Sequence, residues 1–158
     1  MKSKVMVMGV GNVLMSDEGL GVHFIKELDN LPDEVEVIEG GTAGLELIPL
    51  IEDTEFLIII DAVNGRAEPG AIFRFQPTDI GFYPEEYAVS FHQVGILEVL
   101  TVANFLDRAP KTIIYGVQPK TLEWGLEISP EIQAVFPKLK ELVLDEINYI
   151  LHYNQFRP

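Results

Sequence analysis

Short runs of consecutive apolar residues alternate along this chain with stretches in which apolar residues recur at helical spacing. Continuous apolar runs are typical of strands that are buried on both faces of a sheet. We therefore predict strands at 5–8, 35–38, 56–60 and 112–117, and a further strand, with an antiparallel direction allowed, at 71–75.

The stretches with helical spacing fall between these strands. Ser16 and Ser90 stand where side-chain N-caps are expected, and Pro137 should kink or divide the last helix. The third helix is apolar nearly all round, which predicts burial on more than one side. Pro and Gly in the segment 76–89 predict a long loop. The predicted helices are 17–28, 45–51, 91–106 and 130–153.

Strands that alternate with helices predict an α/β fold. We expect a three-layer domain over residues 1–158, with a mainly parallel twisted sheet and helices on both faces. Ligands of such sheets bind at the carboxyl ends of the strands. This rule directs attention to the turns that follow Met8, Ile38 and Ile60.

Charge and composition exclude several kinds of partner. The 158 residues carry a formal charge of −14, which repels nucleic acid and anionic membranes. The absence of cysteine excludes disulfides, zinc-finger ligation and a cysteine nucleophile, and it is compatible with a reducing compartment. The apolar run 5–15 follows two lysines as in a signal peptide, but Asp17 and Glu18 follow it at once, so we interpret it as a buried first strand.

The stretch GVGNVLMSDEGLG at 9–21 resembles a dinucleotide-binding loop only in part. Leu14 occupies the third glycine position, although Glu39 supplies an acid at the end of the second strand. Asp17 and Glu18 stand where pyrophosphate would meet the helix N-terminus, and their charges would repel it. The loop could instead present carboxylate to a cation, or Glu18 could serve only as a helix-capping acid.

Two further side chains fall at a strand end and a helix start. Asp61 ends an apolar strand, so its carboxylate must find donors or a cation, unless it caps the turn near Asn64 and Gly65. His92 begins a helix, which favours the neutral imidazole that binds metals, although a capping role explains it as well. With Glu18, these residues form a candidate metal site of one histidine and two carboxylates.

Five segments together resemble the nickel–iron hydrogenase maturation endopeptidases over nearly the whole chain. One departure is Glu39, where relatives often carry aspartate. The segments are GVGNVLMSDEGLGV (9–22), EGGTAGLEL (39–47), LIIIDAV (57–63), SFHQVGILEVL (90–100) and YGVQPKTLEWGLEISP (115–130).

The resemblance implies roles for particular residues. The family's metal site falls on Glu18, Asp61 and His92, and we expect Asp61 as the first choice for general base and Glu18 as the second. The loop that the family associates with substrate recognition falls on Gly40, Gly41, Thr42, Ala43 and Gly44. From the residues alone, that loop would be interpreted as a strand-to-helix turn that needs glycine.

The resemblance also implies a substrate. It is the nickel-loaded precursor of a hydrogenase large subunit, from which a C-terminal extension is removed in the cytoplasm. The nickel is carried by the substrate, and zinc or cadmium could take its place in purified protein. Three alternatives stay open: a dinucleotide-binding enzyme, a metallopeptidase with its own zinc, and a chaperone that binds immature hydrogenase without cutting it.

Overall fold

The computed structural model describes residues 3–82 and 91–158, without the side chains of residues 80–82 and 91–94. Within these ranges the strands are β1 Val5–Val10, β2 Val35–Gly41, β3 Phe56–Ala62, β4 Ile72–Phe75 and β5 Lys111–Val117. They form one sheet in the order β2-β1-β3-β5-β4. All neighbouring strands pair in parallel except β4, which is antiparallel to β5.

The helices cover both faces of this sheet. They are α1 Leu20–Ile25, α2 Ile48–Ile51, α3 Pro77–Phe82, α4 Phe91–Phe105, α5 Pro130–Gln133 and α6 Phe136–Tyr153. Short 3₁₀ turns at Ser16–Gly19 and Leu45–Leu47 precede α1 and α2. No helix in the described ranges combines the length and apolarity that a membrane crossing requires.

Two apolar cores follow from the alternation of side chains along the central strand β3. Ile58 and Ile60 belong to a core that also contains residues of α1, α5 and α6. Leu57 and Ile59 face the other way, into a core with residues of α2 and α4. The sheet is therefore the middle layer of three, and the predicted α/β architecture is confirmed.

Most predicted elements are present, including the antiparallel strand β4 and the division of the last helix at Pro137. The loop prediction for 76–89 is wrong at its start, because α3 occupies Pro77–Phe82. Proline fits the first turn of a helix, where its missing N–H costs nothing. The rest of that predicted loop, and the predicted cap Ser90, lie outside the described residues.

Three further predictions about helices are wrong. Ser16 does not cap α1 with its side chain; it has a positive φ of 54° and its hydroxyl donates to the Glu123 carbonyl instead. The helix that was predicted to end at Leu28 ends at Ile25. Among the described side chains of α4, one face is buried, and Phe105 is 88% exposed, so this helix is not buried on several sides.

Candidate active site

The glycine loop after β1 holds a 3₁₀ turn tightly against the carboxyl edge of the sheet. Gly11 has φ +133°, and a Cβ there would lie 1.9 Å from the Glu18 carbonyl oxygen. A Cβ on Gly21 would lie 2.1 Å from the carbonyl oxygen of Ile60. These contacts bring Glu18 and α1 down onto the end of β3.

Asp61 is the fully buried acid at that end of β3. Its Oδ1 accepts a hydrogen bond from the Ala62 N–H at 2.8 Å. Its Oδ2 is also buried and has no hydrogen-bond partner among the described residues. A buried carboxylate oxygen without a donor is costly, so this atom is suited to meet a cation, a water or a proton.

The pKa of Asp61 lies well above its usual value. Burial is the main cause, the Ala62 N–H opposes it, and the charge of Glu18 raises the pKa further. Glu18 itself is only 4% exposed and lies in the 3₁₀ turn. The two predicted acids, 43 positions apart in sequence, therefore interact at one edge of the sheet.

The alternative role of Asp61 as a cap for the following turn is wrong. The N–H of Gly65 donates to the side chain of Gln118 at 2.8 Å, and Asn64 accepts from the next-but-one N–H within its own turn. Gln118 and Asn64 satisfy this turn, and among the described residues the Asp61 carboxylate accepts a hydrogen bond only from its own neighbour, Ala62.

His92 lies in the first turn of α4, as predicted, while its side chain is outside the described residues. After α4 ends, Arg108 pairs with Glu52 at 3.3 Å, just before β3 begins, so the helix ends at the amino edge of the sheet. A 15-residue helix is about 22 Å long, similar to a seven-residue strand, so α4 begins toward the carboxyl edge.

Position 92 of α4 also lies on the same side of the sheet as Asp61. Ile96, four residues later, is buried in the core that contains Leu57 and Ile59. Positions four apart share a helix face, and Asp61 shares a strand face with residues 57 and 59. Position 92 and Asp61 therefore belong to the same side of the sheet.

A shared metal site of Glu18, Asp61 and His92 stays a prediction. Among the described residues, no three His, Asp or Glu side chains are grouped to hold a metal ion, and the His92 side chain is not in that set. The described atoms do offer an oxygen ligand, Asp61 Oδ2, which has no hydrogen-bond partner among the described residues. Carboxylate oxygen and imidazole suit divalent metals of intermediate softness, so this donor set fits such an ion.

The Gly-Gly-Thr-Ala-Gly segment adjoins the glycine loop. The Gly41 carbonyl accepts from the Gly11 N–H at 2.9 Å, and Ala43 N–H closes a turn onto Gly40 at 3.0 Å. Gly41 has φ +53°, a conformation that glycine adopts without strain. Thr42 is exposed, and Gly44 precedes the next 3₁₀ turn. The segment thus borders the candidate site, and its part in substrate binding stays a prediction.

Asp17 is a buried acid whose role the sequence did not reveal. Its side chain accepts from the N–H groups of Lys120, Thr121 and Ser129, and from the Ser129 hydroxyl, at 2.7–3.0 Å. The Asp17 N–H returns a bond to the Thr121 carbonyl at 3.1 Å. Asp17 therefore anchors the loop 118–129 beside Glu18, a contact that only the folded chain reveals.

A cavity of about 500 Å³ lies elsewhere, near the amino edge of the sheet. Its lining includes Leu97, Leu100 and Pro110 but no Asp, Glu or His among the described residues. This lining lacks the titratable groups that hydrolysis requires. The candidate active site is therefore the carboxyl edge around Glu18 and Asp61.

Comparison with known proteins gives consistent results. The family model of HycI, hydrogenase maturation protease, matches residues 22–146, a range that includes Asp61 and His92. The hydrogenase 2 maturation protease of Escherichia coli is 34% identical over 148 residues, covering 89% of this chain and 88% of that protein. The hydrogenase expression/formation protein HupD of Bradyrhizobium diazoefficiens is 35% identical, with 83% and 71% coverage.

Solved structures agree with the sequence comparison. The hydrogenase maturating endopeptidase HybD of Escherichia coli superposes with a TM-score of 0.82 at 33% identity, covering 92% of each chain. The [NiFe] hydrogenase maturation protease HybD of Thermococcus kodakarensis gives 0.76 at 27% identity, with 90% and 97% coverage. The chain therefore belongs to the hydrogenase maturation protease family and is a peptidase.

Proposed function

We propose that this peptidase removes the C-terminal extension from the nickel-loaded precursor of a nickel–iron hydrogenase large subunit. Similarity to the hydrogenase 2 maturation protease and to HybD supports the substrate. The observation that carries the chemistry is the buried Oδ2 of Asp61, which has no partner among the described residues and lies beside Glu18 at the carboxyl edge. We propose the cytoplasm as its place of action.

In this proposal the metal arrives with the substrate. Glu18, Asp61 and His92 would engage the nickel that the precursor already holds, and this engagement would position the scissile peptide bond. The proposed ligands are carboxylates and an imidazole, and the chain has no cysteine. Such a site would hold nickel without withdrawing it from the thiolates of the substrate, since soft thiolates compete well for the ion. The same donors would also accept zinc or cadmium from solution in the purified protein.

Asp61 is our first choice for the general base, which makes the enzyme an aspartic-type endopeptidase. Its Oδ2 would accept a proton from a water molecule as the water oxygen adds to the scissile carbonyl carbon. The C–N bond then breaks, and the proton passes to the departing amine of the extension. A raised pKa suits this work, since it brings the carboxyl closer to the operating pH. Glu18 is the alternative base.

The Gly40–Gly44 loop would lie along the extended peptide. Small residues allow a close approach of the substrate backbone, and the exposed Thr42 adds a hydroxyl group. The hydrogen bond between Gly41 and Gly11 fixes this loop relative to the turn that carries Glu18. Binding and cleavage would therefore occur at neighbouring loops of one sheet edge.

The test uses two forms of the same precursor. The protein is incubated with nickel-loaded and with nickel-free large-subunit precursor, and the products are weighed by mass spectrometry. We expect loss of the extension from the loaded form only. Cleavage of both forms, or of unrelated peptides, would contradict metal guidance and favour an ordinary metallopeptidase. Binding without any loss of mass would indicate a chaperone.

A further inference from the structure

The loop 118–129 presents large apolar side chains to solvent beside the candidate active site. Within it, Trp124 is 78% exposed, Leu126 68% and Leu122 41%. Leu14, 49% exposed, joins them, because its carbonyl accepts from the Gly125 N–H at 2.9 Å. We call these four residues the apolar patch. Clustered exposed apolar side chains on a soluble protein mark interaction surfaces more often than isolated ones do.

The backbone under the patch is held firmly. Gly125 both donates to Leu14 and accepts from the Ser16 N–H, each at 2.9 Å. The Ser16 hydroxyl bonds the Glu123 carbonyl at 2.7 Å, and Asp17 accepts four bonds from both ends of the loop. Trp124 is therefore exposed on an ordered loop. A preorganised loop loses less entropy on binding, and tryptophan is enriched among the residues that dominate interface energies.

The apolar patch adjoins the residues of the candidate active site. The residues that anchor it, Leu14 to Asp17, run directly into Glu18. A groove lined by His23, Leu126 and Phe136 extends from the patch along α1. A protein that presents its peptide bond to Asp61 would contact this surface at the same time.

Charges around the patch indicate the chemistry of its partner. Glu123 and Glu127 are exposed within the loop, and the cation Lys120 is paired with Glu131 at 2.6 Å. In the adjoining groove the exposed Lys26 is accompanied by two acids, Glu27 and Glu127. The surroundings are thus acidic, as is the chain as a whole. Complementarity favours an apolar partner surface that is bordered by basic side chains.

We infer that the apolar patch docks the large-subunit precursor, through an apolar surface with basic neighbours close to its C-terminal extension. This inference rests on the proposed function. It assigns Leu14, Leu122, Trp124 and Leu126 to substrate affinity, separate from the catalytic acids. Trp124 is the central anchor of the contact.

Kinetics with the nickel-loaded precursor test this assignment. For the double variant Trp124→Ser/Leu126→Ser we expect KM to rise about tenfold or more, with kcat within about twofold of wild type. Phe105→Ser is the matched control, because Phe105 is 88% exposed near the end of α4, at the other edge of the sheet. Unchanged KM in the double variant, or an equal rise in the control, would overturn the inference.

A second measurement does not depend on cleavage. Trp124 is the only tryptophan of the chain, so protein labelled with 5-fluorotryptophan gives one ¹⁹F resonance. We expect that resonance to shift when unlabelled nickel-loaded precursor is added. If the precursor is cut and the resonance stays unmoved, docking at Trp124 is wrong while the proposed function stands; if the resonance moves and nothing is cut, the proposed function fails instead. A resonance that moves with protein concentration alone would show that a second copy covers the patch, and would overturn the inference.

Discussion

At the residue scale, Asp61 costs the fold stability because its carboxylate is buried with one oxygen unpartnered among the described residues. Its position was predictable, since an acid directly after an apolar strand has few ways to be solvated. Its hydrogen bonding was not predictable. The turn after β3 is satisfied by Gln118, a residue far along the chain, and not by Asp61. A buried polar group that lowers stability at the carboxyl end of a strand is typical of a functional site.

Asp61→Asn should abolish cleavage and raise thermal stability. The amide keeps an acceptor for the Ala62 N–H and removes a charge that burial and Glu18 disfavour. The folded pKa of Asp61 is raised, so the ionised form costs stability above that pKa, and the cost vanishes below the unfolded pKa of about 3.9. The melting temperature should therefore exceed that of wild type at neutral pH, and the difference should shrink as the pH falls toward 4.

The exposed Asp53, just before the same strand, supplies the control. Asp53→Asn should leave both cleavage and melting temperature near the wild-type values. Normal removal of the extension by Asp61→Asn would disprove the role of Asp61 in catalysis.

Asp17 should matter for stability because four donors of the loop 118–129 depend on it. Asp17→Asn loses one acceptor oxygen, so either the Ser129 N–H, or the Lys120 and Thr121 N–H groups together with the Ser129 hydroxyl, lack a partner. We expect a loss of about 2 kcal/mol or more in the free energy of unfolding, measured in urea. Glu131→Gln, which alters an exposed pair with Lys120, should change it little.

At the scale of elements, the strands were the most predictable part of the fold. β1 and β3 are buried along their whole length, so their sequences are continuous apolar runs. Elements shaped by distant contacts were less predictable. Ser16 resembles an N-cap locally, but bonds to Glu123 and Gly125 hold it in a left-handed conformation. The short helix α3 begins at a proline that the sequence analysis took as a sign of a loop.

A buried hydrogen-bond network joins strands β4 and β5 to α6 and to the last residues of the chain. Glu146, fully buried on α6, accepts from the Arg74 guanidinium and the Tyr115 hydroxyl, each at 2.8 Å. Its other oxygen accepts from the Arg157 N–H at 2.7 Å. One carboxylate thus connects β4, β5 and the segment after α6.

Glu146→Gln should destabilise the protein by about 3 kcal/mol, because it removes the charge partner of Arg74 and supplies an amide N–H where an acceptor is needed. Urea unfolding measures the change. Glu141→Gln on the same helix is the control, since Glu141 pairs with Lys138 at the exposed surface. Equal midpoints for the two variants would contradict a structural role for the network.

At the scale of the whole molecule, the fold brings together residues that the sequence keeps far apart. The parallel sheet places the ends of β1 and β3 side by side, so that Glu18 and Asp61 interact. The first turn of α4, which contains His92, lies on the side of the sheet to which Asp61 belongs. The rule for strand ends predicted the approach of Glu18 and Asp61 from the sequence, whereas the loop anchored by Asp17 required the fold itself.

The central claim is that Glu18, Asp61 and His92 reach the nickel of the substrate. Nickel K-edge X-ray absorption of the loaded precursor, alone and with the inactive Asp61→Asn variant, tests it most directly, with binding checked by co-elution. We predict additional oxygen or nitrogen neighbours of nickel in the complex, supplied by Glu18 and His92, and their loss with the triple variant Glu18→Gln/Asp61→Asn/His92→Ala. A nickel spectrum that is identical in the free and the bound precursor would contradict the account.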